Sequence, residues 1–376
     1  MNTMKILYIY QTLARYGGVE RVLADKMNYL ANHYGYDIYI LTRDQGTHQI
    51  PFPLEEQVHY DDLNIRLHTQ YAYKGLRRLW KKIKLQCLYE YRVNKKIKEI
   101  KPDVIIGTDV MPARSLLRHK GRAKLVIESH SMYRMTYAEP TRNPLKLFLN
   151  YMAFRAYRKA DMLVSLTKGD ADDWRNKNHN KKVCVIPNVV NLNATGLYSD
   201  LSQKNVIFVG RFAKLKGIPY LMDIWKKVQA RHPDWTLNIY GDGEEKEKYA
   251  DLIASLNIIV HQSTRYIHEE YCKNSIFLLT SISESFSLVI PEAMSCGLPV
   301  VSFDCPYGPR DIITEGKDGF LVPQYDVDAF ADRVCCLIED KNLRLQMGKT
   351  ALTSSQRYAA EIVMPQWKEL FESILE

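Results

Sequence analysis

Two glutamates, Glu284 and Glu292, stand eight positions apart in Ser-Glu-Ser-Phe-Ser-Leu-Val-Ile-Pro-Glu-Ala-Met-Ser-Cys-Gly-Leu-Pro-Val. An apolar run, Ile276 to Thr280, precedes them and reads as a buried strand, and another, Pro299 to Phe303, follows. Pro291 is tolerated only in the first turn of a helix, where backbone N–H groups have no intrahelical partner, so the intervening helix is expected to begin near Ser287. Glu284 then lies in the loop and Glu292 about one turn into the helix, with free N–H groups between them aimed where an anion would bind. Hydroxyl-binding carboxylates at both ends and an anion hole in the middle match a sugar nucleotide.

Cations accompany this pair. Val-Gly-Arg-Phe-Ala-Lys-Leu-Lys-Gly, residues 209–217, places Arg211 and Lys216 at the carboxyl edge of a strand. The planar fork of Arg211 suits a diphosphate and Lys216 adds a point charge; an ordinary basic surface loop is the other reading. Gly210 and Gly217 let the backbone turn sharply beside a ligand. A second Gly-rich turn, Gly241-Asp242-Gly243, closes another strand and is expected to line the ligand cleft, with Asp242 read as a helix cap. Gly17-Gly18 follows the first strand and precedes a helix, where backbone N–H groups can meet a phosphate or sugar oxygen. It is neither a GxGxxG fingerprint nor a Walker loop. His130 closes a strand in Ile-Glu-Ser-His-Ser and either bonds a sugar hydroxyl or is structural; Glu128 and Arg134 are further candidates. No compact Asp-x-Asp or His/Cys ligand cluster stands out.

Short apolar runs alternating with helical patterns must position these residues. The strand candidates are Lys5–Tyr10, Asp37–Leu41, Val104–Gly107, Lys124–Glu128, Met162–Leu166 and Val183–Ile186, then Asn205–Val209, Thr236–Tyr240, Ile258–His261, Ile276–Thr280, Val300–Phe303 and Gly319–Val322. Such alternation predicts parallel sheets covered by helices on both faces. Twelve strands do not suit one sheet, and the polar stretch Asn188–Lys204 is the natural break. The expectation is an α/β chain of two doubly wound, Rossmann-like domains facing a central cleft. The first spans residues 1–188, a linker 189–204, and the second 205–353. From about Ser354, an apolar stripe of Tyr358, Ile362, Val363, Trp367, Leu370, Phe371 and Ile374 predicts a terminal helix (354–376) that crosses back to the first domain. Ligands of such sheets bind beyond the carboxyl ends of the strands.

The 376 residues are 46% hydrophobic and 25% charged, as in a soluble globular protein. No window approaches a membrane span, and no cleavable apolar leader precedes the first strand. Seven cysteines without CxxC pairing argue against a disulfide framework, so a reduced, cytoplasmic protein is expected. The net charge of +9 predicts acidic partners. Eleven Lys or Arg residues lie between Lys74 and Lys101 against two acids, Glu90 and Glu99. Leu76, Leu79, Trp80, Ile83, Cys87, Leu88 and Tyr91 recur among them at helical spacing. Arg77, Arg78, Trp80, Lys81 and Lys82 then form a basic, Trp-anchored face for an anionic membrane surface. A solvated helix joining the core by its other face is the plainer reading. No nucleic-acid module accompanies the charge, and nucleic acid is not an expected partner.

Taken together, the residues resemble the retaining family 4 glycosyltransferases of the GT-B fold. The resemblance is carried by Gly17-Gly18-Val-Glu20, His130, Ile186-Pro187-Asn188, Gly210-Arg211 through Lys216-Gly217, Gly241-Asp242-Gly243 and Glu284-x7-Glu292 followed by Gly297-Leu-Pro-Val-Val301, in family order along nearly the whole chain. It implies an acceptor-binding first domain and a second domain that binds a nucleotide-sugar donor, with no cofactor besides that co-substrate. Arg211 and Lys216 would clamp the diphosphate, Glu292 hold the ribose diol and Glu284 contact the transferred sugar. Backbone groups at Phe286, Ser287, Leu288 and Val289 would complete the sugar and phosphate contacts. His130 would reach the donor sugar, Gly18 and its neighbour Gly17 would flank the diphosphate, and Arg265 with Tyr266 would hold the base. Arg, Lys and helix ends would neutralise the leaving diphosphate without metal, and retention implies a front-face displacement in which the departing phosphate takes the acceptor's proton.

Asp304-Cys305-Pro306-Tyr307-Gly308-Pro309-Arg310 resembles the marker of a bacterial subgroup that builds surface polysaccharides or lipid-linked glycans; a helix-capping Asp304 in a Pro-rich turn is a structural alternative. The subgroup implies a hexose or N-acetylhexosamine on UDP, an acceptor glycan on polyprenyl diphosphate, and work at the inner face of the cytoplasmic membrane. A sugar-nucleotide epimerase of the same architecture would need acid/base residues beyond the two glutamates. A glycoside hydrolase would need both carboxylates to flank one bond, for which Glu292 is badly placed. A non-catalytic basic scaffold is the reading from another class, and the intact Arg211, Lys216, Glu284 and Glu292 argue against it.

Overall fold

A computed structural model describes residues 3–108, 113–134 and 143–376. The chain divides into two compact units, Met1–Val189 with Val363–Glu376, and Val190–Ile362. In the first unit, β1 (Lys5–Tyr10), β2 (Asp37–Thr42), β3 (Val58–Asp62), β4 (Val104–Thr108), β5 (Lys124–Ser129), β6 (Met162–Ser165) and β7 (Val183–Val185) form a parallel sheet ordered β3-β2-β1-β4-β5-β6-β7. Its helices are α1 (Gly18–Tyr34), α2 (Gly75–Ile100), α3 (Ala113–His119), α4 (Pro144–Lys159) and α5 (Lys168–Lys177). Helix α1 stops at Gly35, whose left-handed backbone (φ 63°) lets its own N–H reach the Ala31 carbonyl and that of Tyr36 the Leu30 carbonyl. The central strands are apolar on both faces because helices cover both. Leu7, Ile9, Ile105, Leu125 and Ile127 meet Leu85, Tyr89, Val93 and Ile97 of α2 in one cluster.

The second unit repeats the plan. Strands β8 (Asn205–Val209), β9 (Thr236–Tyr240), β10 (Ile258–His261), β11 (Ile276–Leu279), β12 (Val300–Phe303) and β13 (Gly319–Val322) form a parallel sheet ordered β10-β9-β8-β11-β12-β13. Helices α6 (Ile218–Arg231), α7 (Ala250–Ser255), α8 (Ile267–Cys272), α9 (Val289–Ser295), α10 (Pro309–Ile312), α11 (Val327–Glu339) and α12 (Lys341–Ser355) connect and cover it. Phe208, Trp225, Phe303 and Phe330 are fully buried in its core, each burial stabilising the fold by about 2–3 kcal/mol. The last helix, α13 (Ala360–Leu375), carries Val363, Met364, Trp367, Leu370 and Phe371 into the first unit. Each sheet reverses strand order at its first strand, β1 lying between β2 and β4 and β8 between β9 and β11. These are the switch points at which open parallel sheets leave a crevice.

Three expectations change. Strand β3 reads Val-His-Tyr-Asp-Asp, too polar to announce itself, because an edge strand with exposed His59 and Tyr60 needs no apolar run. The stretch 189–204 is not a free linker. Val190 donates its N–H to the Tyr358 carbonyl, Asn193 to Ser295 Oγ and Ser199 to the Cys296 carbonyl, and Leu201 is buried. Ser354 lies inside α12, and the terminal helix begins only at Ala360. Ile362 is then half exposed, outside the buried stripe.

Candidate active site

At the switch point of the second unit, the turn after β8 carries Arg211 and Lys216, and the loop after β11 carries Glu284. Lys216 Nζ lies 2.6 Å from Glu284 Oε1, in a pair whose side chains are 25% and 11% exposed. The two loops are tied through the backbone as well. Ile282 N donates to the Leu215 carbonyl at 2.9 Å, and Thr280 Oγ1 to the Lys216 carbonyl at 3.0 Å. Gly217 ends the turn in the left-handed region (φ 65°), and a Cβ there would collide with the Thr280 carbonyl. Only glycine permits this approach. Arg211 is exposed at the same edge. Oε2 of Glu284 makes no hydrogen bond to the described residues.

Helix α9 begins at Val289, two residues later than expected, because Ser287 takes a left-handed conformation (φ 77°). Glu292 falls in its first turn, 6% exposed, with Pro291 beside it. Phe286 is buried against Tyr358, ring centroids 5.3 Å apart, so only its backbone is available. The Ser287 hydroxyl is buried without a partner among the described residues, as is that of Ser281. The N–H groups of Leu288 and Val289 likewise meet no acceptor there. Buried polar groups of this kind are uncommon in finished cores.

The Asp304–Arg310 turn closes over this loop. Arg310 binds Asp304 through two parallel bonds, Nε to Oδ1 at 2.9 Å and Nη2 to Oδ2 at 3.0 Å. Asp304 is therefore a clamp within the turn, not the helix cap considered from sequence; Gly308 stands at the head of α10. Gly308 (φ 64°) passes so near that a Cβ would lie 2.8 Å from the Phe286 carbonyl and 3.1 Å from Glu284 Cβ. Cys305 packs behind Glu284, and burial, then that carboxylate, push its thiol up to about 12. Neither Gly308 nor the Ser281 and Ser287 hydroxyls was singled out as a functional group from spacing alone.

The Gly241-Asp242-Gly243 turn is zipped to the β8 turn, Gly210 N donating to the Tyr240 carbonyl and Phe212 N to that of Asp242. Asp242 accepts from Gly243 N at 2.8 Å and caps no helix. It lines an 800 Å³ cavity with Glu244, Glu247, Lys246 and Val260. Three carboxylates against one ammonium suit no diphosphate. Arg265 and Tyr266 follow β10 but stand exposed outside that cavity.

In the first unit, Gly17 precedes α1 in extended conformation and Gly18 is its first residue, while Glu20 turns inward to accept from the Tyr10 hydroxyl at 2.9 Å. His130 follows β5 with its Nε2 3.0 Å from Glu128 Oε2. Glu128 also pairs with Lys26 of α1, both side chains only 2% exposed, and Lys26 Nζ sits 3.9 Å from the Trp367 ring centroid. Burial alone would raise the Glu128 carboxyl, but Lys26 and His130 outweigh it and carry it down to about 2. Glu128 is thus a buried support for His130 and not a ligand group in its own right. His130 Nδ1 makes no bond to the described residues. Arg134 is held by Asp173.

Arg77, Arg78, Trp80, Lys81 and Lys82 lie on α2, whose buried side chains are Leu85, Tyr89, Val93 and Ile97. The apolar stripe expected from sequence is therefore not the core face: Leu76, Trp80 and Tyr91 are 75%, 70% and 66% exposed. Among the described residues no helix is long and apolar enough to cross a membrane. His232, Cys335 and Glu339 bring ligand atoms within 4.8 Å of one another. They gather at the end of α6, against the amino edge of the sheet, where Glu339 is already bonded by Arg231 and His232.

Residues 16–194 match the family model described as Glycosyltransferase Family 4, and residues 196–353 that of Glycosyl transferases group 1. The chain belongs to the family 4 glycosyltransferases. This glycosyltransferase is 27% identical, over 97% of its length and 99% of the relative's, to an uncharacterized glycosyltransferase of Haemophilus influenzae. It is 26% identical, over 97% and 99%, to the amylovoran biosynthesis glycosyltransferase AmsD of Erwinia amylovora. Its fold is GT-B. A mutant of S. aureus TarM, solved with fondaparinux, alpha-GlcNAc-glycerol and UDP, superimposes with a TM-score of 0.77 at 15% identity, covering 98% of this chain and 100% of that one.

Proposed function

We propose that this glycosyltransferase moves a hexose or N-acetylhexosamine from a UDP-sugar, with retention and without metal, onto a growing polyprenyl-diphosphate-linked glycan of a bacterial surface polysaccharide. The observation that carries the reading is the Lys216–Glu284 pair at the switch point, between exposed Arg211 and the unpartnered Ser287 hydroxyl. A bound diphosphate draws Lys216 and Arg211 to its oxygens, and Glu284 turns to the sugar hydroxyls. Glu292 takes the ribose diol, while the backbone at Phe286–Val289 completes the phosphate and sugar contacts. Arg265 and Tyr266 hold the base. From the first domain, His130 offers Nδ1 to the donor sugar and Gly17-Gly18 flanks the diphosphate. Catalysis then comes from positioning and from stabilising the departing diphosphate, which takes the acceptor's proton. AmsD, named for amylovoran biosynthesis, and TarM, solved with UDP, support the acceptor class and the nucleotide. The exposed basic face of α2 supports peripheral attachment to the inner membrane face.

A donor screen with a lipid-linked acceptor mimic, read by mass spectrometry, tests the reaction, and UDP, GDP and ADP titrations test the nucleotide. Glu292→Ala and Lys216→Ala are expected to weaken UDP roughly tenfold or more, each removing a charge-assisted bond. Glu284→Ala should instead chiefly lower transfer. No binding of any nucleotide at millimolar concentration would refute the reading, and equal UDP affinity in all three variants would refute the roles.

A further inference from the structure

The first unit contains a second concave site that these roles do not use. A 490 Å³ cavity opens at the carboxyl edge of β1 and β2, lined by Thr12, Arg15, Arg43, His48, His68 and Tyr71 among others. Its size is that of a ligand pocket. The floor is built on Gln45, 1% exposed, whose Oε1 accepts from Thr12 Oγ1 at 2.8 Å and Leu13 N at 2.7 Å, while Nε2 donates to the His48 carbonyl at 2.8 Å. Asp44, the one carboxylate of the lining, is already committed: Oδ2 accepts from Arg43 Nε and Oδ1 from Leu67 N, each at 2.8 Å. The Nη groups of Arg43, whose charge is shared with Asp44 and the nearby Tyr89, and the guanidinium of Arg15 make no hydrogen bond to the described residues. Two forked cations over a carboxylate-poor floor recognise phosphate oxygens, not neutral sugar.

The wall of this cavity leads onto an apolar surface. Tyr71 lines the cavity and lies under Arg78 of α2, 4.5 Å from its guanidinium carbon. Beyond it, Tyr73, Arg77, Trp80, Lys81 and Lys84 line a neighbouring 380 Å³ depression, and Leu76 and Trp80 are exposed beside them. Tyr71 and Tyr73, two residues apart, thus place the cavity beside a depression that pairs aromatic rings with cations. We infer that the Arg15–Arg43–His68 cavity seats the diphosphate of a polyisoprenoid-linked acceptor, with its apolar chain led out over Tyr71, Tyr73 and Trp80. The inference rests on the reading that the acceptor is lipid-linked and gives that acceptor a site.

Farnesyl diphosphate is the probe, titrated into the full chain with and without saturating UDP, which occupies the diphosphate clamp of the second unit. Arg15 is exposed and His68 is exposed, so Arg15→Glu and His68→Ala leave the core intact. Each is expected to weaken farnesyl diphosphate roughly tenfold, the loss of one charge-assisted contact, with UDP affinity unchanged. Inorganic diphosphate should compete, and farnesol should bind far more weakly than its diphosphate. Equal binding by wild type and Arg15→Glu overturns the site, as does farnesol binding as tightly as farnesyl diphosphate. Complete competition by phosphatidylglycerol vesicles would assign the cavity to a phospholipid headgroup and overturn it too. Failure of UDP to bind while farnesyl diphosphate still binds in an Arg15-dependent way would refute the donor reading and leave this site standing.

Discussion

At the scale of single residues, the least replaceable arrangement in the first unit is the buried Lys26–Glu128–His130 chain. Ions out of water are tolerated only when paired, and removing one partner costs far more than the pair is worth. Lys26→Met is therefore expected to destabilise the protein by about 3–5 kcal/mol, and Lys26→Met with Glu128→Leu to recover much of that loss. Urea denaturation of the two variants measures both. The pair also has a pH signature. The Glu128 carboxyl falls from its ordinary 4.5 to about 2 in the folded protein. Its stabilisation is thus complete above pH 4.5 and lost as pH falls through about 2, because the unfolded carboxyl takes its proton first. Denaturation midpoints between those pH values should fall less steeply for Glu128→Gln than for wild type, and parallel curves would contradict the ion pair.

At the scale of elements, α2 divides its labour along its length. From Leu85 onward it buries one side chain per turn against the sheet, and before Leu85 it buries none. A helix whose first ten positions carry Leu, Trp and Ile among five cations, none of them buried, is expected to meet an anionic surface where both kinds of group are used. Charge reversal at Arg77, Arg78, Lys81 and Lys82 should abolish co-sedimentation with anionic liposomes, and wild-type binding should weaken with salt as screening shortens the reach of the charges. Unchanged sedimentation would make this face a solvated one. Folding stability should stay within about 0.5 kcal/mol, since none of the four side chains is buried.

At the scale of the whole molecule, the chain leaves the first unit at Val189 and returns to it with α13. The first unit therefore closes only when the last residues have been made. A chain ending at Ile362 loses Val363, Met364, Trp367, Leu370 and Phe371, and with Trp367 the aromatic face over Lys26. Loss of a buried Trp alone costs about 3–5 kcal/mol, so the first unit should unfold at markedly lower temperature. The second unit, which lacks none of its own residues, should keep its transition and its shift with UDP. Calorimetry with and without UDP separates the two, and a single undiminished transition would contradict this division of the core.

Much of this was readable in the residues. Twelve of the strands follow from short apolar runs, since parallel strands covered on both faces must be apolar throughout, and Glu284, Lys216 and Gly217 could be placed at strand ends from those runs, although a basic surface loop would read the same way. Strand β3 was not readable, as an edge needs no apolar pattern, nor was the core face of α2, where two stripes of apolar residues compete and only packing selects Leu85, Tyr89, Val93 and Ile97. The one-dimensional pattern determined the parallel α/β architecture, the family and the order of the motifs, because burial and backbone turns act locally and leave periodic traces. Which groups meet was decided by the tertiary structure alone. Lys216 reaches Glu284 across 68 residues and Lys26 reaches Glu128 across 102, and a carboxylate's role as ligand group or buried support depends on those partners, which no local pattern records.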